Sequence, residues 1–395
     1  AISIPLFKLF GPDALATRLQ DSDTRIVITD PQGHRGLENA TWDCVVPETL
    51  NLGKRRFDTV QTESQDPAVL IYTSGTTGAP KGALHAHRVL TGHLPGVEMS
   101  HNGLGHADDC LWTPADWAWI GGLFDVLMPG LALGVPVVAA RADKFSPSYC
   151  HDVLSKLPIK NVFFPPTALR MLKAHEFSAQ GLRTVGSGGE PLGAEMLAWG
   201  RRALGVDINE FYGQTECNMV ASSASFWFDP KPGCIGKAVP GFELAVLDQD
   251  GHPSLDEGDV VIRKGAASMM LGYWNKPEQT QAKFKGDWML TGDRGIWDGD
   301  YLRFVGREDD VITSAGYRIG PSEIEDCILQ HAAVATVGVV GKPDPLRTEI
   351  VKAYVVLKPD FLPNDDLRND IINHVKQNLT LYSYPRELAF LDALP

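Results

Sequence analysis

Short apolar runs alternate with helical patterns along residues 68–213, and this alternation restricts the fold more than any other feature of the sequence. Strands alternating with helices predict an α/β fold, a mostly parallel sheet covered on both faces. The predicted strands lie at 68–73, 110–113, 135–139, 161–164, 182–185 and 208–212. The predicted helices lie at about 85–95, 119–128, 147–157, 166–174 and 193–202. Because ligands bind at the carboxyl ends of such strands, we expect the functional site at that edge.

The pattern changes twice beyond residue 213. Glycines separate short β segments between residues 233 and 305, which predicts an antiparallel β subdomain. Beyond Gly306 a helix, two strands, a helix and a strand predict a compact α+β unit. We therefore predict a large domain at 1–306, with its β subdomain at about 233–305, and a small domain at 307–395.

A loop rich in glycine and hydroxyl side chains, residues 72–82 (YTSGTTGAPKG), follows the first predicted strand. Glycines let the backbone approach a ligand, and a lysine supplies a point charge suited to phosphate. Backbone N–H groups in such a turn form an anion-binding nest. A Walker A loop is excluded, because Pro80 precedes the lysine and Gly82 follows it. A solvated surface turn is the alternative. We predict that phosphate is bound by Thr73, Ser74, Gly75, Thr76, Thr77, Gly78 and Lys81.

Three further motifs follow in order. Residues 186–192 (GSGGEPL) are small enough to leave room for a flat ring against the backbone. Residues 209–216 (NEFYGQTE) offer an aromatic face for a purine, a hydroxyl for a phosphate and a carboxylate for Mg²⁺. Asp293 follows Thr291 and Gly292 in a turn and could accept both hydroxyls of a ribose. Each motif alone would be compatible with an ordinary turn or loop.

Taken together and in this order, the four motifs resemble those of the adenylate-forming enzymes: acyl-CoA synthetases, firefly luciferase and the adenylation domains of peptide synthetases. The resemblance implies an adenine beside Gly189, Glu190 and Pro191. It implies the remaining nucleotide contacts as follows: Tyr212 stacks on adenine, Gly213 and Gln214 belong to the same binding motif, Thr215 contacts the α-phosphate, Glu216 holds Mg²⁺ and Asp293 binds the ribose.

The segments 306–312 and 316–325 also resemble this family, which uses them as a hinge. The small domain is then mobile and rotates between an adenylating and a thioester-forming pose. The resemblance implies that Arg307 contacts the nucleotide, Asp309 is the hinge, Arg318 meets phosphate and Gly316 lets the CoA thiol arm pass. A surface salt bridge is the alternative for each arginine. The implied catalytic residues are Lys81, Thr215, Glu216, Arg307 and Asp309.

The resemblance also bears on the acyl substrate. Acetyl-CoA synthetases carry a tryptophan directly before the Gln-Thr-Glu sequence and a valine beside the same pocket, where this chain has Gly213 and Gly188. An enlarged apolar pocket favours a longer tail, because each buried CH₂ contributes about 0.8 kcal/mol. The segment 116–122, with Trp119 and Gly121, is predicted to form another wall, although plain core packing is the alternative for its tryptophans. We expect a short- or medium-chain, branched or aromatic acid.

The implied activity is that of an acid–thiol ligase, in which ATP and a carboxylic acid give an acyl-adenylate and CoA then gives the acyl-CoA. The expected cofactors are ATP, Mg²⁺ and CoA. One alternative is an enzyme that loads the acyl group onto a carrier protein. Another is a nucleotide-binding module without turnover, since the family's C-terminal lysine motif has no counterpart before Pro395. For that reason, and because residues 1–45 look like a β/α unit without its beginning, we expect a chain incomplete at both ends.

Composition excludes several other functions. The net charge of −13 argues against general binding to nucleic acids or membrane surfaces. The longest apolar stretch, 123–140, is broken by Asp125, Pro129 and Pro136, so no membrane span is expected. The six cysteines are scattered without a Cys-x-x-Cys pair, which indicates reduced thiols in a cytoplasmic protein. The sequence leaves the oligomeric state open.

Overall fold

The structure is a computed structural model that describes most of the 395 residues. The described residues are 1–37, 42–50, 53, 57–73, 80–140, 142, 144–190, 192, 194–231, 233–307, 312–319, 321–380 and 382–394. Within these ranges only the backbone is described for residues 35, 36, 194, 195, 306, 307, 318, 322, 323 and 326.

The strands of the described residues are numbered in chain order. They are β1 (Ile26–Ile28), β2 (Asp43–Val45), β3 (Pro67–Thr73), β4 (Lys81–Ala86), β5 (Leu111–Trp112), β6 (Asn161–Phe163), β7 (Thr184–Gly188), β8 (Ile208–Gln214), β9 (Asn218–Ser222), β10 (Lys237–Ala238), β11 (Leu244–Leu247), β12 (Gly258–Arg263), β13 (Gly272–Tyr273), β14 (Phe284–Lys285), β15 (Trp288–Asp298), β16 (Tyr301–Arg307), β17 (Ile312–Ser314), β18 (Tyr317–Ile319), β19 (Val334–Asp344), β20 (Thr348–Leu357) and β21 (Glu387–Phe390).

Side-chain caps define where several helices begin. Ser146 accepts a hydrogen bond from the Tyr149 N–H, and Asn364 accepts one from the Leu367 N–H. The helices are α1 (Pro12–Asp21), α2 (Pro31–Gly36), α3 (Val89–Ser100), α4 (Ile120–Gly122), α5 (Met128–Leu133), α6 (Pro147–Lys156), α7 (Pro166–Ala174), α8 (Ala194–Ala203), α9 (Pro277–Ala282), α10 (Pro321–Leu329) and α11 (Asp365–Asn378), with a 3₁₀ turn at Pro47–Thr49 and a π-helical segment at Leu123–Leu127.

A six-stranded sheet in the order β10-β9-β8-β7-β6-β5 forms the centre of the molecule. Strands β5 to β8 are parallel, and every residue of β6, β7 and β9 is buried. Such continuous burial follows from helices on both faces, with α6, α7 and α8 on one and α3 on the other. The pairing of β7 with β8 places residues 186–188, the start of one predicted motif, beside residues 209–211, the start of another.

Two parts of the predicted sheet are wrong. Strand β3 pairs antiparallel with β4 in a separate three-stranded sheet completed by β13, so the glycine-rich loop joins a hairpin, and α3 begins only at Val89. Close packing favours the hairpin, because a Cβ on Gly82 would lie 2.8 Å from Leu70. The stretch 135–139 makes only one parallel bridge, from Val137 to Leu111, since Pro136 has no N–H to extend a ladder.

Two antiparallel sheets follow. Strands β11, β12, β15 and β14, with β16 beside β15, form the expected β-rich part. Strands β18, β17, β20 and β19, with β21 parallel to β20, form a second sheet, which we call the C-terminal sheet. Its apolar core, which includes residues of α10 and α11, also contains Phe7, Phe10 and Ala14 from the start of the chain. The N-terminal segment therefore packs against the C-terminal sheet.

Candidate active site

Strands β3 and β4 hold the two ends of the glycine-rich loop side by side. Thr73 and Lys81 are partners in the ladder, and the Thr73 hydroxyl donates to the Lys81 carbonyl oxygen over 3.4 Å. The Lys81 Nζ lies 5.1 Å from the centroid of the Tyr273 ring on the neighbouring strand β13. The hairpin thus places the predicted phosphate-binding lysine beside Tyr273.

Glu216, just after β8, is a buried carboxylate surrounded by donors and cations. Its side chain is mostly enclosed, with a relative exposure of 8%, and its Oε1 accepts a hydrogen bond of 2.6 Å from the Tyr273 hydroxyl. Burial by itself would raise the pKa of Glu216, but Lys283, the Tyr273 hydroxyl and Lys81 together lower it. Glu216 is therefore ionised despite its burial, as a ligand for a cation must be.

Asp293 in β15 is the second buried carboxylate of the site. Its Oδ2 accepts hydrogen bonds from the Tyr212 hydroxyl over 2.5 Å and from the Gln214 amide over 2.6 Å. Burial and the nearby Asp293 charge raise the pKa of Tyr212, which keeps that hydroxyl a donor. Arg307 is the backbone partner of Asp293 in the β15–β16 ladder. The residues predicted from the motif 209–216, from the turn at Asp293 and from the segment 306–312 are thus neighbours.

The turn after β7 leaves open space beside its backbone. Gly189 has a φ of +101°, and a Cβ built there would have the Gly316 carbonyl oxygen, at 4.0 Å, as its nearest neighbour. A glycine is needed at this φ because other residues rarely adopt it. The space beside the turn leaves room for the edge of a flat ring, and the adenine position implied by the resemblance stays a prediction.

Glu190 connects this turn to the C-terminal sheet. The residue is 4% exposed, and its Oε2 lies 2.5 Å from Arg170 Nη1. It also accepts hydrogen bonds from the Gly316 N–H and the Thr348 hydroxyl. Gly316 has a φ of +80° in the tight turn between β17 and β18. The predicted adenine-side carboxylate and the predicted CoA-side glycine are therefore in direct contact.

A second region of the site, which we call the acyl side, is lined by glycines and aromatic rings. A Cβ on Gly121 would lie 3.0 Å from the Phe163 ring. The Phe163 and Phe211 rings are 5.4 Å apart between centroids, and a Cβ on Gly188 would lie 2.4 Å from the Phe211 ring. These four residues are in continuous packing contact beside the carboxyl ends of β6 and β7.

Gly213 has a different local environment. A Cβ at this position would lie 1.8 Å from the Asn218 carbonyl oxygen, because β8 has a bulge at Tyr212 and Gly213 and folds back onto β9 there. The hairpin alone therefore requires glycine at this position. Its predicted part in widening the acyl pocket stays a prediction.

Trp119, the other predicted pocket residue, lies in an aromatic cluster. Its ring is 5.6 Å from Phe7 and 5.9 Å from Tyr317 between centroids. Tyr317 in turn stacks on Tyr382 at 4.1 Å with an angle of 10° between the rings. Trp119 thus connects the start of α4 with the C-terminal sheet and the N-terminal segment.

Two family models match this chain. Residues 1–274 match the AMP-binding enzyme model, and residues 323–395 match the model of the AMP-binding enzyme C-terminal domain. The chain belongs to the AMP-binding enzyme family. The family predicted from its four motifs is thereby confirmed.

Curated relatives of this AMP-binding enzyme are ligases that make acyl-CoA, which confirms the predicted enzyme class. Acetyl-coenzyme A synthetase of Bacillus subtilis (strain 168) is 34% identical over 428 residues, covering 100% of this chain and 73% of that protein. The mitochondrial acyl-coenzyme A synthetase ACSM2 of Rattus norvegicus is 39% identical over 407 residues, covering 96% of this chain and 71% of that protein.

Solved structures confirm the predicted α/β fold class. A malonyl-CoA ligase in a ternary product complex with methylmalonyl-CoA and AMP has a TM-score of 0.84 and 29% identity, covering 100% of this chain and 85% of that chain. An anthranilate CoA ligase in complex with anthranoyl-AMP has a TM-score of 0.69 and 28% identity, covering 100% of this chain and 80% of that chain.

Several predicted site residues of this AMP-binding enzyme are not placed by the structure. Thr215 lies in the turn between β8 and β9, and its role stays a prediction. For Arg307 and Arg318 only the backbone is described. The predicted residues outside the described ranges are Ser74, Gly75, Thr76, Thr77, Gly78, Pro191 and Asp309.

The sequence reasoning missed four residues that complete the polar part of the site. Tyr273 and Lys283 set the ionisation of Glu216, and Arg170 and Thr348 bind Glu190. None of these four residues lies in a sequence motif whose composition would indicate a binding site. The only signal was the group GYWNKP at 272–277, whose aromatic and glycine content is also typical of an ordinary turn.

The donor set around Glu216 fits Mg²⁺. This ion is usually held by one or two carboxylates together with substrate phosphates. Glu216 supplies one ionised carboxylate, and Lys81, 5.1 Å from the centroid of the Tyr273 ring, supplies a positive charge suited to phosphate. No helix in the described parts of the chain combines the length and apolarity that a membrane crossing requires.

Proposed function

We propose that this enzyme joins a carboxylic acid to CoA at the expense of ATP. The substrate carboxylate attacks the α-phosphorus, and the bond to pyrophosphate breaks, which gives an acyl-adenylate. The CoA thiol then loses its proton and attacks the acyl carbon, and AMP leaves with the bonding electrons. The observation that carries the proposal is the buried carboxylate of Glu216, which Lys283, the Tyr273 hydroxyl and Lys81 keep ionised. Asp293, bound by Tyr212 and Gln214, supports it.

The chain's own residues provide positioning and charge. Lys81 places a positive charge where phosphates are expected, next to Tyr273. Asp293, oriented by Tyr212 and Gln214, accepts the ribose hydroxyls, and Gly189 leaves room for the adenine. Glu216 would hold Mg²⁺, which supplies charge neutralisation of the phosphates when bound.

The acyl substrate proposed from the sequence is a short- or medium-chain, branched or aromatic acid. The packed group of Gly121, Phe163, Phe211 and Gly188 supports it, because these residues make the predicted acyl side apolar. Neighbouring chain lengths would be distinguished by roughly 1–3 kcal/mol per methylene. A cytoplasmic location also stays a prediction, since the rat relative described above is mitochondrial.

The C-terminal unit, proposed as a separate domain at 307–395 on a core of 1–306, acts as a lid in this scheme. The two solved ligases have nearly equal identity to this chain, yet the TM-score is 0.84 for the one with methylmalonyl-CoA and AMP and 0.69 for the one with anthranoyl-AMP. Because the sequence identities are nearly equal, the simplest cause of the different TM-scores is a different position of the C-terminal unit relative to the core. This supports a lid in the thioester-forming pose, with Gly316 against Gly189 and Glu190.

The test is mass spectrometry after the chain is incubated with Mg·ATP, CoA and a pool of carboxylic acids. We expect new acyl-CoA masses that identify the acid and that need both ATP and CoA. A parallel sample receives a premade acyl-adenylate and CoA, so that the second step is measured by itself. If neither sample gives a thioester above the level of a Glu216→Gln control, the proposed function is wrong.

A further inference from the structure

Asp125 is a buried acidic residue in the π-helical segment Leu123–Leu127 that the mechanism does not use. Its relative exposure is 5%, and its Oδ1 has no hydrogen-bond partner among the described residues. Leaving a buried polar group unsatisfied costs about 1–3 kcal/mol, so natural proteins rarely keep one without a reason. A π-helical turn inside an α-helical stretch is itself frequent at functional sites.

The other carboxyl oxygen of Asp125 faces the acyl side. Asp125 Oδ2 lies 3.7 Å from the position that a Cβ on Gly121 would occupy, and the same position is 3.0 Å from the Phe163 ring. The absence of a side chain at residue 121 therefore lets the carboxyl and the ring approach the same point of the backbone closely. Phe163 packs against Phe211, and Phe211 packs against Gly188, which the sequence predicts as another wall of the acyl pocket.

The surroundings of Asp125 favour an uncharged carboxyl. Burial raises the pKa of Asp125 well above its usual value, and no cation among the described residues offsets that effect, unlike at Glu216. A neutral carboxyl offers one O–H donor and one carbonyl acceptor. A neutral group on the substrate that donates and accepts hydrogen bonds would pair with this carboxyl. A hydroxyl can do both, and a carbonyl oxygen can accept.

We propose that Asp125 is a specificity-determining residue that hydrogen-bonds a hydroxyl or carbonyl group on the tail of the carboxylic acid substrate. The inference rests on the proposed function, and it narrows the substrate class from plain acids to acids that carry an oxygen function away from the reacting carboxylate. A purely apolar tail would leave the buried carboxyl unpaired, and a site of that kind discriminates strongly against such a tail.

The experiment compares matched acids on the wild-type chain and on Asp125→Leu and Asp125→Asn. The pairs are butanoate with 4-hydroxybutanoate and benzoate with 4-hydroxybenzoate, and the measured quantity is kcat/KM for acyl-CoA formation. Wild type should prefer the hydroxylated member of at least one pair by about tenfold or more. Asp125→Leu should lower that preference by at least tenfold, mainly through the KM of the hydroxylated acid. Asp125→Asn, which still donates and accepts, should keep it within about threefold.

A purely structural role would have a different readout. Leucine at position 125 removes an unpaired buried polar group, so the melting temperature should stay equal or rise, whereas a structural carboxyl would make it fall. An unchanged preference in Asp125→Leu, or a wild-type preference for the plain acid of both pairs, overturns the inference. If Asp125→Leu does not fold, loss of the preference in Asp125→Asn overturns it as well.

Two further outcomes are distinguishable. A preference for 4-aminobutanoate over both four-carbon partners would mean that Asp125 is charged in the complex and pairs with an ammonium group, which contradicts the neutral contact. Acyl-CoA formed from the plain acids, without any effect of residue 125, would disprove only the role of Asp125. No acyl-CoA from any acid, with ATP or with premade adenylates, would disprove the proposed function.

Discussion

The nucleotide side and the acyl side of the site each contain a buried carboxyl group, but the two groups have opposite surroundings. Glu216 accepts from the Tyr273 hydroxyl and lies near Lys283 and Lys81, which lower its pKa against the effect of burial. Asp125 lies among apolar groups, and burial alone raises its pKa. On the nucleotide side, the protein itself stabilises the charged carboxylate. On the acyl side, the carboxyl is neutral, and its hydrogen-bond partner would be supplied by the substrate.

The largest effect should follow from removing the charge on the nucleotide side. Glu216→Gln keeps the size of the side chain but removes an ionised ligand, so acyl-CoA formation should fall by about 10²–10³-fold, in line with the loss of one electrostatic contact in an active site. The measurement is kcat/KM for Mg·ATP at several Mg²⁺ concentrations. The matched control is Glu243→Gln, an exposed glutamate that should leave the rate unchanged. A loss of less than about threefold in Glu216→Gln would contradict the assignment.

The next effect tests another buried carboxyl, that of Glu210 in β8, whose pKa is raised by burial as that of Asp125 is. Burial raises the pKa of Glu210 from 4.5 to about 7, although the Leu192 N–H partly opposes the shift. The folded state thus holds this proton more tightly than the unfolded state. Stability is lost as the pH rises from about 4.5 through 7, by about 3 kcal/mol for a shift of this size.

Glu210→Gln should remove that loss, because glutamine does not titrate and its amide oxygen can still accept from Leu192. The difference in urea midpoint between variant and wild type should be small near pH 4.5 and should grow in favour of the variant toward pH 8. Glu243→Gln is again the control. A variant that is equally or more strongly destabilised at high pH would show that Glu210 is ionised in the fold.

A smaller effect should come from the hydroxyl that links Tyr273 to Glu216. Tyr273→Phe removes one hydrogen bond to a charged group, worth about 1.5–3 kcal/mol, so kcat/KM should fall roughly tenfold or somewhat more. Because this hydroxyl lowers the pKa of Glu216, the acid limb of the pH–rate profile should move to higher pH. Tyr301→Phe, which removes an exposed hydroxyl bound to the Asp229 carbonyl, is the control. An unmoved acid limb would separate Tyr273 from the ionisation of Glu216.

The smallest effect concerns the contact between the turn after β7 and the C-terminal sheet. Thr348→Val removes the hydroxyl that donates to Glu190, a loss of about 1 kcal/mol. The rate of thioester formation from premade acyl-adenylate and CoA should fall about fivefold, whereas adenylate formation should change less. Thr336→Val, on an exposed position of β19, tests the substitution itself. If Thr348→Val slows adenylate formation and thioester formation equally, the contact between Thr348 and Glu190 is not specific to the thioester-forming pose.

The contrast between the two sides also explains what could be predicted from the sequence. Lys81, Glu216 and Asp293 stand in local motifs, in which backbone conformation and chemistry are encoded by adjacent residues. The partners of these residues could not be found in this way, because Tyr273 is 57 positions from Glu216 and Thr348 is 158 positions from Glu190. Such pairs depend on how strands from distant parts of the chain meet.

Asp125 shows the same limit on the acyl side. The spacing of apolar residues predicts a helix over 119–128, and the structure has α4, a π-helical segment and α5 over 120–133. The extra residue in the π-helical turn changes which side chains face inward, and no local pattern signals it. The β3–β4 hairpin was missed for a related reason, since the packing of Gly82 against Leu70 comes from strand pairing rather than from the motif.

The most direct measurement is the infrared spectrum of carboxyl groups in the folded chain at neutral pH, taken as differences between variants and wild type. Our account predicts that Asp125→Asn removes the band of a protonated carboxyl and that Glu216→Gln removes only ionised carboxylate intensity. Loss of carboxylate intensity in Asp125→Asn, or of a protonated band in Glu216→Gln, would contradict the division of the site into a charged and a neutral side.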